Sequence, residues 1–198
     1  VTDPEGEALW VSNFGMQELW RLSYPEGELT HVFGHGGGFD LVDVDGDPLP
    51  DAEFPYVQHG PDYTADGRVL VYDNGDGRPG GSYSRVAEYQ LDLAANRATL
   101  LWSWTEPGWS DDVIGDADYL PNGHVLVTQG FSECLEGSAR DVSELVELDP
   151  PNDVVWRATF PDAKYAVYRS ERYDGCAVFA NAKYCPATAD RIAALRGG

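Results

Sequence analysis

Gly67-Arg-Val-Leu-Val-Tyr72 decides the reading of this chain, because its pattern recurs. A glycine followed by an apolar run also stands at Gly6-Glu-Ala-Leu-Trp-Val11 and at Gly123-His-Val-Leu-Val-Thr128. The spacings are about 60 and about 55 residues, the range of large propeller blades. Beyond each run lies a loop and then a segment of alternating polar and apolar residues: Glu18-Leu-Trp-Arg-Leu22, Arg85-Val-Ala-Glu-Tyr-Gln-Leu91 and Glu144-Leu-Val-Glu-Leu148. A third segment follows each time, at Leu29–Phe33, Ala98–Trp104 and Val154–Phe160, after turns at Pro25-Glu-Gly27, Asn96-Arg97 and Pro151-Asn-Asp153. Period-two alternation bounded by such turns reads as antiparallel strands joined into meanders.

A further strand precedes the glycine in the second and third repeats, at His59–Thr64 and Gly115–Leu120, and a similar segment stands at Ala166–Tyr173. The expectation is an all-β chain carrying about three blades of a β-propeller, entered at the second strand of one blade and left on the first strand of another. Residues 1–173 form the blades. Residues 174–198 form a tail, with a short helix over Ala187–Leu195. Propellers close with four to eight blades, so closure requires another chain or further blades, as a homodimer or with a processed partner. The opening Val1-Thr-Asp-Pro4 reads as a processed or trimmed end. The competing architecture is a small β-sandwich.

The net charge of −21 excludes classes of partner. Nucleic acid and anionic membrane are repelled by a field of that sign. No run reaches the 18 or so apolar residues that a membrane-crossing helix needs. Lysine occurs only at Lys164 and Lys183, and so acidic and lysine-poor a surface suits a secreted or salt-tolerant protein. An anionic substrate then needs a local cluster of Arg or His. Of three cysteines, Cys176 and Cys185 bracket a short loop and are candidates for a disulfide, with Cys134 free or bridging to another chain. The alternative is three reduced thiols.

The cationic candidates lie between Val57 and Leu93. His59 heads a first strand, which in a propeller lines the central channel, and Arg78 and Arg85 stand on the loop after the next strand. A neutral imidazole attacks an anionic centre well when guanidinium groups neutralise the developing charge. Arg85 is also placed to pair with an acidic loop residue such as Asp73. Trp109, in Gly108-Trp-Ser110, is a candidate wall for an aromatic acceptor, whereas Trp10, Trp20, Trp102, Trp104 and Trp156 fall on strands and read as packing between blades.

The stretch Gln58-His59, then Tyr72-Asp-Asn-Gly-Asp-Gly-Arg78, then Tyr83-Ser-Arg85-Val-Ala-Glu-Tyr89 and Trp102-Ser-Trp104, with Tyr168-Arg-Ser-Glu-Arg172 later, resembles the bacterial aryl-sulfate sulfotransferases. The resemblance runs from about Ala8 to Tyr173. It implies a six-bladed propeller of the periplasm or cell exterior that needs no cofactor. It implies that His59 accepts a sulfuryl group from a phenolic sulfate and passes it to a phenol, with Arg78 and Arg85 supporting the site or its loops. The other histidine and arginine residues of that family's site fall upstream of the matched motif. In the third repeat Gly115 stands where the second has His59, so the histidine is no repeated architectural feature.

Two metal candidates complete the reading. Asp43, Asp45, Asp47 and Asp51 are spaced around Gly46, the kind of oxygen-rich turn that calcium takes, although the glycine is out of place for an EF-hand; a solvated acidic loop is the alternative. His31 and His35 lie four apart on a strand-and-loop pattern, where that spacing does not bring two imidazoles together.

Overall fold

The computed structural model describes residues 6–111, 113–130, 142–160 and 166–173. It is built of β-strands with two short 3₁₀ turns at Phe14–Met16 and Asp51–Glu53. Strands β1 (Ala8–Asn13), β2 (Glu18–Ser23) and β3 (Leu29–Gly34) form an antiparallel sheet in that order. The second sheet is an antiparallel meander of β5 (His59–Tyr63), β6 (Arg68–Asp73), β7 (Arg85–Asp92) and β8 (Arg97–Trp104). The third repeats it with β9 (Asp116–Tyr119), β10 (Val125–Gln129), β11 (Ser143–Asp149) and β12 (Asp153–Phe160).

The repeated glycine is the turn residue of each meander. Gly67 has φ +83° and Gly123 φ +84°, a region that residues with a Cβ enter only at a cost. The backbone closes tightly at both, Thr64 and Leu120 each bonding the residue four further on at 3.0 and 2.8 Å.

The three sheets stack in chain order, and this explains why the run after Gly67 is continuously apolar. Val69 and Val71 of β6 face Trp10, Leu19 and Phe33 of the first sheet. Leu70 and Tyr72, on the opposite face, join Ala117, Val125, Val127, Val146 and Leu148 of the third. A strand covered on both faces has no polar side to alternate with. The edge strands β1, β5 and β9 of successive sheets come together, β5 touching both others.

The structure differs from the sequence reading at two strands. β4 (Asp40–Val42) was not expected; it lies parallel to β8, with Leu41 opposite Ala98. Ala166–Tyr173, expected as a strand, is irregular. A strand needs a neighbouring ladder to satisfy its backbone. Here the anchors are side chains instead: the Val167 amide donates to Ser143 Oγ at 3.2 Å, Ser170 bonds Thr128, and Arg172 pairs with Glu147 at 3.2 Å. The expected terminal helix, Cys134, Cys176 and Cys185 lie outside the described residues. Among the described residues no helix is long and apolar enough to cross a membrane.

Candidate active site around His59

His59 opens β5 at the edge where the three sheets meet, opposite Tyr72 of β6. Its anchor is the residue before it. Gln58 is fully buried, and its amide donates to the Glu18 carbonyl at 2.9 Å and to Ser12 Oγ at 3.3 Å, pinning the head of β5 to the first sheet. The imidazole itself is half-buried. Nδ1 lies 2.7 Å from Asn74 Oδ1. Phe14 stands edge-on at 5.5 Å and Tyr168 perpendicular at 6.5 Å between ring centroids. Gly60, next along the strand, has φ +52°, and a Cβ there would come within 1.9 Å of an Asp116 carboxylate oxygen. Glycine therefore allows the acidic edge of β9 to lie directly against the strand that carries the histidine.

Arg78 and Arg85 are buried, and both are held by Asp73. Arg85 Nε donates to Asp73 Oδ2 at 2.8 Å, while its terminal nitrogens reach the Glu53 carboxylate, the Glu53 carbonyl at 2.9 Å and Tyr89 Oη at 3.3 Å. Arg78 donates to Asp73 and to the Ala52 carbonyl, sandwiched between the rings of Tyr56 and Tyr83 at 5.0 and 4.9 Å. Asp73 Oδ1 accepts the Tyr56 amide at 2.8 Å. The three side chains thus fasten the 51–57 loop to the β6–β7 hairpin. Burial works against the Arg85 charge, but Tyr89, Asp73 and Glu53 outweigh it and raise its pKa. Both guanidinium groups are charge-paired within the protein, as the possible Arg85–Asp73 pairing anticipated for one of them.

Trp109 is fully buried, edge-on to Trp104 at 4.9 Å, with its indole N–H donating to Tyr72 Oη at 2.9 Å. The Tyr72 hydroxyl in turn donates to Asp111 Oδ2 at 2.6 Å. Burial and the Asp111 charge raise the Tyr72 phenol well above its ordinary pKa, so it remains a donor. The indole is part of the core between the second and third sheets and presents no open face to a ligand.

The acidic turn is organised by its own backbone. Asp43 Oδ1 accepts the amides of Asp45 and Asp47 at 3.0 and 2.9 Å, and Val42 bridges to Pro48. Asp43 thus caps the turn, and Asp45, Asp47 and Asp51 do not converge with it. Among the described residues no three His, Cys, Asp or Glu side chains are arranged to hold a metal ion. Asp45, Asp47 and Asp51 are exposed to solvent.

One charged cluster near His59 escaped the sequence reading. Asp116 and Asp118 share one face of β9, and Arg169 reaches Asp116 at 3.0 Å, Asp118 at 4.0 Å and Glu171 at 2.8 Å. Burial, with the neighbouring Asp116 charge, pushes Asp118 up to about 7, and burial also raises Asp116. The signal lay in two aspartates alternating along a strand and an arginine far downstream, which only folding brings together.

Stacked β-meanders define an all-β protein in which the half-exposed imidazole of His59 stands at the edge where the three sheets meet. The chain belongs to the arylsulfotransferase (ASST) family, whose profile matches residues 7–169. It is also similar to the arylsulfate sulfotransferase AssT of Lelliottia amnigena, 35% identical over 80 residues. That similarity covers 32% of this chain and 13% of the relative. The family is not known to need a cofactor.

Proposed function

We propose that the chain is part of a β-propeller enzyme that moves a sulfuryl group from a phenolic sulfate to a phenol, with His59 as the acceptor in between. The observation that carries this reading is the half-exposed imidazole at the meeting edge of the three sheets, in a chain of the arylsulfotransferase family. One ring nitrogen of His59 is bonded to Asn74; the other is available as a nucleophile. In the first half-reaction the lone pair of that nitrogen attacks sulfur. An N–S bond forms, the S–O bond to the aryl group breaks, and the phenolate leaves with the electron pair. In the second, an acceptor phenol gives up its proton, which passes through solvent to the phenolate released in the first, and its oxygen attacks the same sulfur. The N–S pair then returns to the imidazole.

Arg78 and Arg85 act as positioning residues here. They fix the 51–57 loop that leads into Gln58 and His59, while the charge of the sulfuryl group is met by groups from further blades. The outer sheets support the need for such blades. Val11 and Leu29 of the first sheet and Val154, Val155 and Trp156 of the third are exposed, and covering sheet faces of this kind is what neighbouring blades do. Residues 1–173 supply blades and residues 174–198 a tail. A second chain or further sheets complete the ring, and the acidic surface suits a secreted or periplasmic setting.

The test is mass spectrometry of the complete assembly after brief exposure to an aryl sulfate. A sulfuryl adduct on the His59 peptide, lost on adding phenol, is expected. Unchanged turnover in His59→Ala sinks the proposal. A second reading, a non-catalytic binding or scaffold module, is favoured by the engagement of Arg78 and Arg85 with Asp73. It predicts no adduct and no turnover in any assembly.

A further inference from the structure

We infer that Asn74 is a positioning residue that sets the tautomer of His59, and that the Asp111 and Ile114 carbonyls act through it to decide which ring nitrogen is nucleophilic. The inference rests on the proposed role of His59, but its geometry is independent of turnover. Asn74 follows β6 directly and is fully buried. Its Nδ2 lies 2.7 Å from the Asp111 carbonyl and 3.0 Å from the Ile114 carbonyl. Carbonyl oxygens only accept, so both contacts require the NH₂ end of the amide, and a flip would set Oδ1 against two acceptors. The orientation of Asn74 is therefore fixed by its partners. Oδ1 must then face His59, and as an acceptor it requires a proton on Nδ1. In the neutral ring this leaves the lone pair on Nε2.

Asp111 is itself held, its carbonyl also accepting from Ser84 Oγ at 3.3 Å. Ser84 Oγ donates to the Asn74 carbonyl at 2.9 Å and accepts the Asp111 amide at 2.7 Å. Asp111 also receives the Tyr72 hydroxyl. The path runs from the two carbonyls to Asn74 to Nδ1, and its consequence appears at Nε2. Free neutral histidine favours the opposite tautomer, with the proton on Nε2, so the preference at His59 is one that the fold imposes. A hydrogen bond of this kind is worth about tenfold in the tautomer ratio.

The experiment is ¹⁵N NMR of the ring nitrogens in histidine-labelled full chain, at a pH where the ring is neutral. The four histidines are assigned with His59→Gln. The expected His59 spectrum has a pyrrole-type Nδ1 and a pyridine-type Nε2, and in Asn74→Ala the ratio falls by about tenfold towards that of free histidine. Circular dichroism verifies that the variant is folded; if it is not, the wild-type spectrum alone decides. A protonated Nε2 in the wild type, or an unchanged ratio in a folded Asn74→Ala, overturns the inference. Either result leaves the adduct experiment untouched. Conversely, absence of an adduct together with the expected spectrum removes the sulfuryl reading and keeps the Asn74 assignment.

Discussion

The second and third sheets follow one strand plan, aligned on Gly67 and Gly123, yet they treat the end of the middle strand in opposite ways. In the second, Asp73 of β6 faces Arg85 of β7 in the ladder, and Asn74 beyond it bonds His59. In the third, the matching positions are Gln129, opposite Glu144, and Gly130, with Gly115 in place of His59. Asp73 bonds both buried guanidinium groups and a backbone amide. Gln129 is just as buried, but among the described residues neither atom of its amide has a hydrogen-bond partner. Two sheets with the same hydrophobic pattern therefore differ in polar content at one end, and the polar end is the one beside the histidine. The core pattern builds the blade, while the end-of-strand positions are free to specialise.

The sharpest way to break the comparison is to remove Asp73. Asp73→Ala strands two buried guanidinium groups without their shared carboxylate, a change that costs about 3–5 kcal/mol. Urea denaturation of the full chain measures it, and a loss below about 1 kcal/mol would show that the cluster relaxes into water. Next comes Gly115→Ala. Gly115 has φ +142°, and an added Cβ would lie 2.3 Å from the ring of Tyr72, which is fully buried and hydrogen-bonded to Asp111 and Trp109. Strain and overpacking together are expected to cost about 2–4 kcal/mol. The third sheet lacks a histidine at this position because the second sheet's tyrosine fills the space, and a neutral Gly115→Ala would refute that explanation.

The opposite sign is expected at the position matching Asp73. Gln129→Leu replaces an unpartnered buried amide by an apolar group of similar size and is expected to stabilise the chain by about 1 kcal/mol. A destabilisation of that size instead would mean that Gln129 has a partner in the folded protein. Asp73→Ala and Gln129→Leu measured side by side thus separate a working polar cluster from an inherited polar residue.

These contrasts also show what a linear sequence reveals. The meanders were legible because a turn glycine and an apolar run are local signals, and Gly67 and Gly123 perform the same backbone task. The link between Arg85 and Asp73 was legible because the two face each other across one hairpin. Asn74, Asp116 and Arg169 were not legible as partners of the His59 region. Asn74 stands in an Asp-Asn-Gly stretch of turn-forming residues, and its role depends on the carbonyls of Asp111 and Ile114, distant in sequence. Ala166–Tyr173 has strand-like residues, but pairing is a property of its neighbours and not of its composition. The acidic turn had calcium-like spacing, but Asp43 accepts the Asp45 and Asp47 amides and so closes the turn.

The effect most specific to the third sheet is a pH dependence carried by Asp118. It is faced by Asp116 on its own strand, by Asp62 of β5, and by Arg169 and Glu171 of the 166–173 segment. Burial first, and the Asp116 charge second, push its carboxyl up to about 7 in the folded chain, whereas an unfolded aspartate titrates near 4. Between those values the folded state binds the proton more tightly than the unfolded state. The contribution to stability is therefore fully present below about pH 4 and is lost as pH rises through about 7. Other carboxylates superimpose their own slopes, so the informative quantity is a difference. The urea midpoint of wild type minus that of Asp118→Asn should fall steadily between about pH 4 and about pH 7 and level off above. A flat difference would mean that Arg169 holds the carboxylate ionised throughout, making the β9 edge a fixed charge beside the histidine strand rather than a proton store.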